Sequence, residues 1–549
     1  MACLVTVILG LAVEALLRDR IYVSYPHSEL RSFEVLKQSG RDILARLGYT
    51  DPAVDSCAAY RYDLYEYLSL IGEHEPGTGW EILSQPGQMV LELWYRQSPR
   101  ALVPLSLTGQ PTGLDPPRDP GDIAMKLTLA GQLSELVVTP QMLAVFDETA
   151  PSPVWSVLFD AAGLDLEQFT PTEPTLLPPV YADTRAAWEG TLVNYGNRPV
   201  RIEAAAYRGR PVYFEKVVPS HRYWSVEKEQ SPLEEMPIPR GVQIGFFVSL
   251  LGVYALALVG FILLALRSLA LGRGDRKGAL RLAIAVVVLR LLHWLLTGHH
   301  VAAFDEILLL CIALSGAVSL GLLTWLLYIG IEPYVRRFWP QPMVAWSRFL
   351  AGQLRDPLVG RHLLVGLSFG VLGQISGSLL FMLAQALGLI APLTGHKFFA
   401  LMGGRYALGD FFGACLTALA MAIFSMLFFL LCRIILRRTW LAAACYGLII
   451  STLLACNFAF ISAVPNQLLG GLLVGALLGL IRVMFQVTIM LRYGLFAWIF
   501  FELVDQIFLT LDFSSPYFNA SLISLVFLIA LAIYAFRISL AGHPLFRES

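Results

Sequence analysis

Charged side chains are scarce in this chain of 549 residues. Asp, Glu, Lys and Arg together make up 15% of it, whereas hydrophobic residues make up 56%. Ordinary soluble proteins are about a quarter charged. This composition excludes a fully soluble protein and indicates an integral membrane protein.

Cysteine is sparse as well. The chain has seven cysteines, of which only Cys57 lies between residues 18 and 240, where the apolar runs are short. A single thiol excludes a disulfide framework within that part. The others lie in apolar runs: Cys3, Cys311, Cys415, Cys432, Cys445 and Cys456.

Signature motifs of several enzyme classes are missing. Neither H-E-x-x-H nor C-x-x-C occurs, and Gly272–Gly274 lacks the glycine-lysine element of a phosphate-binding loop. The H-R-D-type loop and the V-A-I-K lysine of protein kinases are also missing. We therefore expect no phosphoryl- or acyl-transfer activity, no catalytic residue, no cofactor, no metal and no nucleic-acid partner.

What the chain does contain is a strong asymmetry of charge. Residues 18–240 hold 20 basic and 30 acidic residues, a net charge of −10, whereas residues 241–549 hold 20 and 10, a net charge of +10. This predicts an acidic soluble module joined to a basic membrane region. We divide the chain into an anchor helix (1–17), the module (18–240), spans 2–4 (241–330), a basic and aromatic loop (331–362), and spans 5–10 with a short tail (363–549).

The first apolar run is short for a membrane span, which needs roughly 17–25 residues. Residues 2–17 contain Glu14 and end at Arg18. A cleaved signal peptide would show a basic start and a small-residue cleavage site, and neither is clear here. We therefore favour an uncleaved anchor helix, shortened at its front, over a signal peptide.

Alternating and helical patterns in the module predict an α+β fold. We expect helices at 34–47 and 155–164, strands at 89–95, 124–129 and 134–138, and a hairpin of 201–207 with 212–218. The partial recurrence of the pattern suggests two related units, with a chance match as the alternative. The cluster Tyr60, Tyr62, Tyr65 and Tyr67 indicates either a ligand-binding face or, more simply, a half-buried helix packing its rings on the sheet.

From Gly241 onward, nine apolar runs follow, which with the anchor make ten spans. They lie at 242–266, 280–297, 305–330, 363–390, 410–433, 440–460, 467–490, 494–511 and 518–537. Every second connection is basic, and connections rich in Lys and Arg stay on the cytoplasmic side. We therefore predict a multi-pass protein of the bacterial inner membrane, with both termini cytoplasmic and residues 18–240 extracytoplasmic.

The stretch 331–361 is the most basic connection. Five arginines stand there against Glu332 and Asp356, and the tryptophans suggest a segment lying along the membrane interface. We take it as a candidate cytoplasmic interface made of Arg336, Arg337, Trp339, Trp346, Arg348, Arg355 and Arg361. Elsewhere, glycines repeated at four-residue spacing, such as Gly471, Gly475 and Gly479, predict tight helix packing.

Ionisable residues within spans are expensive and often functional. Glu502 and Asp505 lie about one helical turn apart and are followed by Gln506, so the three can share a face. With Arg482 and Arg290 they form a candidate intramembrane polar site, either an ion or proton path or a set of internal ion pairs. A second candidate cluster joins His299 and His300 with Asp305 and Glu306, either as a metal site or as interfacial polar groups.

Several local patterns resemble the membrane region of bacterial receptor-type serine/threonine protein kinases. They are Glu332–Arg337, Trp339-Pro340, Trp346–Arg348 and Asp356–Arg361, with Trp94–Arg100 and Ala206–Phe214 in the module and Leu511–Ser514, Tyr517 and Gly542–Phe546 in the tail. The resemblance implies a signalling context with the module on the extracytoplasmic side of the membrane. It also implies that the kinase domain of such chains is missing here, so we expect a stand-alone relative or the remainder of a split or truncated gene.

Together these observations favour a membrane signalling protein in which an outer module senses an unknown ligand. A helical bundle would pass its state to the cytoplasmic loops, and any output would need a kinase acting in trans. The alternative is a transporter or channel that uses Glu502, Asp505 and Arg482. A third hypothesis is metal-dependent hydrolysis at His299 and His300.

Overall fold

The computed structural model describes most of the chain. The described residues are 1–21, 31–63, 66–67, 69–70, 88–104, 106, 109, 117, 119–141, 151–218, 240–341, 343–390, 399–461, 468–508 and 518–541. Tyr65 of the tyrosine cluster and the tail patterns after residue 541 lie outside them, as do Leu511–Ser514 and Tyr517.

Residues 31–218 form a module built on one antiparallel sheet, called the sheet module below. Its helices are α2 (Phe33–Arg46) and α3 (Ser156–Ala162). Its strands are β1 (Asp55–Tyr62), β2 (Leu91–Ser98), β3 (Ile123–Thr128), β4 (Leu133–Val138), β5 (Thr170–Thr172), β6 (Thr184–Leu192), β7 (Arg198–Tyr207) and β8 (Arg210–Val217). The predicted α+β architecture is confirmed.

The eight strands lie in the order β1-β2-β3-β4-β8-β7-β6-β5. Each half of the module is thus a helix followed by a four-stranded meander. The two meanders join where β4 pairs with β8, with Leu136 opposite Phe214. The structure repeats the element order twice, while the sequence relationship between the halves stays a prediction.

The helices cover one face of the sheet, where alternate residues of each strand form the core. Leu93, Leu127, Leu136 and Phe214 are fully buried in it. Lys216 also points into this face, where its Nζ donates to the carbonyl oxygen of Ala162 at the end of α3 (3.0 Å). The negative end of the helix dipole offsets part of the cost of burying this charge.

The tyrosine cluster differs from the expectation of a helix. Tyr60 and Tyr62 lie on β1, an edge strand, since aromatic residues also favour strands. The Tyr60 ring packs 5.6 Å from that of Phe33 on α2. The sequence patterns also missed β5 and β6.

The remaining helices form a bundle around a second core. They are α1 (Ala2–Ile21), α4 (Arg240–Ala270), α5 (Arg276–Thr297), α6 (Asp305–Phe338), α7 (Met343–Leu350), α8 (Pro357–Ala386), α9 (Gly404–Leu436), α10 (Thr439–Ile461), α11 (Leu468–Arg492), α12 (Gly494–Phe508) and α13 (Phe518–Ser539). Among the described residues, seven helices are long and apolar enough to cross a membrane. The chain is therefore a multi-pass membrane protein with a separate β-rich module.

A helix occupies each of the ten predicted span positions, but three of them are not among those seven. α1 contains Glu14, Arg18 and Arg20, whereas α12 is described over 15 residues and the described side chains of α4 form the apolar stretch Leu258–Ala270. The number of spans therefore stays a prediction.

Glycines bring neighbouring helices of the bundle close together, as their spacing predicts. A Cβ on Gly475 of α11 would lie 2.5 Å from the Leu454 carbonyl oxygen of α10. A Cβ on Gly366 of α8 would lie 2.2 Å from the Ala497 carbonyl oxygen of α12. Both approaches are too close for any side chain.

The basic stretch is not the loop that we expected. α6 continues through Pro333 to Phe338, the short helix α7 follows, and α8 begins at Pro357. Trp346 is only 2% exposed, so its ring packs inside the bundle, while the position of this segment relative to the membrane stays a prediction. α7 is amphipathic, and its apolar side turns Met343, Ala345 and Trp346 into the bundle.

Candidate functional site

An ionic network crosses between α11 and α12. Arg482 donates from one terminal nitrogen to Oε2 of Glu502 (2.6 Å) and from the other to Oδ1 of Asp505 (2.9 Å). Glu502 is 1% exposed, whereas Asp505 is 22% and Arg482 25% exposed at their side chains. One guanidinium thus binds two carboxylates, and its outer edge stays accessible.

The depth of this network follows from helix geometry. α11 ends at Arg492 and α12 begins at Gly494, so the two helices form a hairpin. Arg482 lies ten residues before the end of α11, about 15 Å along the axis at about 1.5 Å per residue. The hydrocarbon core of a bilayer is about 30 Å thick, so a spanning hairpin places the network near its middle.

Neutral donors complete the coordination of both carboxylates. Glu502 Oε1 accepts from the side-chain amide of Gln486 and from the indole N–H of Trp498, both at 2.9 Å. Asp505 Oδ1 accepts from the side-chain amide of Gln374 at 2.7 Å. Unpaired charges are costly in hydrocarbon, and this set of donors offsets the excess of one carboxylate.

The structure brings together four of the five predicted intramembrane residues. Glu502, Asp505 and Arg482 form the ion pairs, and the amide of Gln506 lies 3.4 Å from Asp505 Oδ2. Arg290 lies on α5 and, within the described part of the chain, makes no ion pair. Of the two arginines in the predicted polar site, Arg482 is therefore the one that pairs with Glu502 and Asp505.

Sequence reasoning missed the amide and aromatic partners. Gln374 is 131 residues away from Asp505 and lies on α8, so no local spacing connects them. Trp498 is one helical turn before Glu502, a spacing that could have identified it. Tyr446 of α10 extends the network by donating to Oε1 of Gln486 (2.9 Å).

The expectation that the chain has no G-x-S-x-G pattern, a motif of acyl-transfer enzymes, is wrong, because Gly366-Leu367-Ser368-Phe369-Gly370 matches it. In hydrolases this pattern forms a sharp turn between a strand and a helix. Here it lies inside α8, where Ser368 Oγ lies 2.7 Å from the carbonyl oxygen of Leu364 and 3.0 Å from that of Cys3, so that its one proton is shared between the two acceptors. Ser368 therefore joins α8 to α1 rather than forming a nucleophile elbow.

The two adjacent histidines after α5 have different partners. His300 Nδ1 lies 2.7 Å from Glu306 Oε1, and its Nε2 lies 3.0 Å from the Leu295 carbonyl oxygen. His299 Nε2 instead lies 3.0 Å from Asp55 Oδ2 of the sheet module. No group of metal-ligating side chains occurs among the described residues, so the histidines do not share a site.

His299 belongs to a contact between module and bundle that we call the joint, made of Asp55, Leu102, Gly109 and His299. Asp55 Oδ2 also accepts from the backbone N–H of Leu102, and the His299 N–H donates to the Gly109 carbonyl oxygen (both 2.9 Å). Burial raises the pKa of Asp55, but the hydrogen bonds from His299 and the backbone outweigh it and leave the pKa below its usual value.

Gly109 allows the close approach at the joint. Its φ is +74°, and a Cβ there would lie 2.7 Å from the indole nitrogen of Trp294 on α5. Nearby, Met402 from the short 3₁₀ helix Phe399–Met402 is buried in the core of the sheet module, and Tyr406 packs against that core. The bundle therefore supplies part of the module's core.

At the opposite end of α5, the candidate interface residues surround α7. Arg281 of α5 donates to the Leu350 carbonyl oxygen at the end of α7 (2.7 Å). Trp346 packs against the rings of Phe349 and Phe496, 5.9 and 6.4 Å away between centroids. Trp339 lies against Phe429 at 5.5 Å. The arginines are all exposed: Arg336, Arg337, Arg348, Arg355 and Arg361.

Two of these arginines have acidic partners. Arg348 pairs with Asp356 (2.7 Å), and Arg336 pairs with the buried Glu332 (2.6 Å). Burial raises the pKa of Asp356 slightly, but the hydrogen bonds from Arg348 and from the Leu358 N–H hold the pKa below its usual value. The remaining arginines leave this end of the bundle strongly positive.

Comparison with protein-family models, with curated proteins and with solved structures finds no match to this chain.

Proposed function

We propose that the protein is a membrane signalling protein in which the sheet module senses a ligand and the bundle passes its state to the arginine-rich end. The observation that carries this proposal is the position of α5. The chain just past its C-terminal end holds the joint through His299, and its N-terminal turns contact α7 through Arg281. One continuous helix thus connects the module with the arginines.

The charge distribution supports one orientation of the protein in the membrane. The connections that carry the arginines lie at the end of the bundle away from the joint, and basic connections stay cytoplasmic. The acidic sheet module would then lie outside the cytoplasm, in a bacterial inner membrane. The resemblance to receptor-type serine/threonine kinases supports the same arrangement.

The output in this proposal is a cytoplasmic kinase acting in trans. The exposed arginines provide charge for an acidic surface, and the buried Trp346 holds α7 in a defined position. A change in the tilt of α5 would move the Leu350 carbonyl that Arg281 binds. The position of α7 would therefore follow the state of the joint.

The test is hydrogen exchange on the full chain in lipid nanodiscs. His299→Ala removes the side chain that contacts Asp55, and we expect amides of residues 343–356 to exchange at least threefold faster. The control is His300→Ala, since among the described residues the hydrogen-bond partners of the His300 side chain, Glu306 and Leu295, both belong to the bundle. Unchanged exchange at α7 in His299→Ala, with exchange near Asp55 increased, would contradict the coupling.

A second candidate function is transport, supported by the mid-membrane network with its partly accessible Arg482. Titratable groups at this depth commonly mark ion or proton paths. This function predicts solute or proton flux into proteoliposomes that is lost in Glu502→Gln/Asp505→Asn. Flux that is unaltered in this variant, or no flux for any tested solute, would favour the sensor.

A further inference from the structure

A cavity of about 720 Å³ opens at one end of the sheet in the sheet module. It lies between the residues after α2, the end of β2, the end of β4 and the turn that joins β7 to β8. Cavities of this size hold small organic ligands. No role in the fold or in the intramembrane network accounts for it.

The turn beside the cavity contains an unexpected residue. Tyr207 pairs with Arg210, so the hairpin loop is the two residues Arg208 and Gly209, with φ values of +53° and +76°. Two-residue turns with both φ values positive strongly prefer Asn, Asp or Gly at the first position. An arginine there is disfavoured by the backbone, which points to a requirement for its side chain.

No residue other than glycine fits at position 209. A Cβ at this position would lie 2.2 Å from the carbonyl oxygen of Pro151, in addition to the positive φ. The backbone N–H of Arg208 donates to Asp183 (2.7 Å), and the guanidinium lies over the Tyr207 ring at 5.6 Å. The turn is therefore fixed, and it presents Arg208 and Arg210 as part of the cavity wall.

The charges in the wall favour an anion. Within the described residues, neither Arg208 nor Arg210 has an ion-pair partner, and Asp51 is the one acid in the lining. Burial raises the pKa of Tyr49 to about 12 against the opposing charge of Arg210, so its hydroxyl stays neutral and donates to the Pro211 carbonyl oxygen (2.7 Å). The apolar part of the wall comes from Ile123, Val138 and Val212.

The cavity also adjoins the joint. Its lining includes Ala53 and Ser98, and Ser98 is the strand partner of Asp55. The N–H of Val54 donates to the Ser98 carbonyl oxygen at 2.9 Å, one residue before Asp55 contacts His299. A ligand that displaces the end of β2 would therefore act directly on the joint.

We propose that this cavity binds a small organic anion with carboxylates for Arg208 and Arg210 and an apolar body for the wall between them. Arginine and carboxylate form strong charge-assisted hydrogen bonds, often bidentate. The assignment of this anion as the signal rests on the proposed sensor function. Binding itself does not depend on that function.

The test is calorimetric titration of the full chain in nanodiscs with adipate, a six-carbon dicarboxylate. The matched probe 1,6-hexanediol has the same chain without carboxylates, and inorganic phosphate is the third probe. We expect saturable binding of adipate, at least tenfold weaker binding of phosphate, and none of hexanediol. Arg208→Asn/Arg210→Gln should weaken adipate binding at least tenfold, whereas Arg185→Gln, on β6 outside the cavity, should not change it.

The variant separates binding from folding, because Asn is favoured at the first position of this turn. An unchanged unfolding midpoint with lost adipate binding supports the site. Equal binding by variant and wild type, no saturable binding, or phosphate binding as tight as adipate overturns it. Adipate binding without any change in exchange at residues 343–356 would keep the site and contradict the sensor function.

Discussion

In the sheet module, Arg198 pairs with Glu66 at 2.5 Å and also donates to the Ser69 hydroxyl (3.2 Å), and the side chains of Arg198 and Glu66 are both 3% exposed. In the bundle, Arg482 is shared between Glu502 and Asp505. The module's carboxylate has a second donor in the hydroxyl of Tyr195 (2.6 Å), while the bundle recruits amides and an indole from three other positions. Both sets of charges are supported by neutral donors, but in the bundle one cation serves two carboxylates, so the carboxylate in excess depends on amide and indole donors.

The comparison predicts that losing a cation costs more in the bundle. Arg482→Met leaves two carboxylates without a counter-charge, so we expect a loss of about 3–5 kcal/mol in the free energy of unfolding. Denaturant unfolding in nanodiscs measures it, with Arg492→Met at the exposed end of α11 as control. Part of this loss should be recovered in the triple variant Arg482→Met/Glu502→Gln/Asp505→Asn, which leaves no carboxylate in the network to neutralise. A triple variant as unstable as Arg482→Met alone would contradict the sharing of one cation by two carboxylates.

In the module, Arg198→Met removes the cation but leaves Glu66 bonded to Tyr195. We therefore expect a loss near the lower end of that range, about 3 kcal/mol. Arg185→Met, at an exposed position on β6, is the control. The comparison fails if Arg198→Met costs more than Arg482→Met under the same conditions.

Lys216 of the sheet module is a buried cation whose effect on the free energy of unfolding should depend on pH. Burial lowers its pKa to about 8, with Glu92 opposing the shift. The unfolded chain then binds more protons than the folded one above pH 8, so stability should rise by about 1.4 kcal/mol per pH unit from there toward the pKa of an exposed lysine, roughly 10.4.

Unfolding midpoints between pH 8 and 9.5 measure this rise for the wild type and Lys216→Met. The difference between the two chains isolates Lys216 from the tyrosines, which also titrate at alkaline pH. Parallel pH profiles would show that Lys216 keeps an ordinary pKa.

The smallest expected change in stability comes from separating the sheet module from the bundle. We expect the isolated fragment 18–240 to be soluble and cooperatively folded, but about 1–2 kcal/mol less stable than in the full chain, because Met402 completes its core. Near-ultraviolet circular dichroism and denaturant unfolding check this. A fragment that stays unfolded would count against an independent sensory module.

Features that depend on the spacing of residues close together in the sequence were predicted correctly. The separation of Glu502 and Asp505 identified a polar helix face, and alternating residues identified β2, β3 and β4. The β1 strand was missed because its tyrosines fit a helix equally well, and its edge position leaves it half buried. Gln374 and Trp346 depend on neighbours far along the chain, so their roles became visible only in the folded structure.

One contact made by α1 sets a time scale for assembly. Glu14 is 2% exposed and accepts from the Ser378 hydroxyl of α8 at 2.6 Å, at a sequence separation of 364 residues. At about 5–20 residues per second, a ribosome needs roughly 20–70 s to cover that distance. For that interval Glu14 lacks the hydrogen-bond partner that it has in the folded protein. The packing of α1 against α8 is therefore completed late in synthesis. The hydrogen bond between Glu14 and Ser378 marks the moment at which the two helices have met.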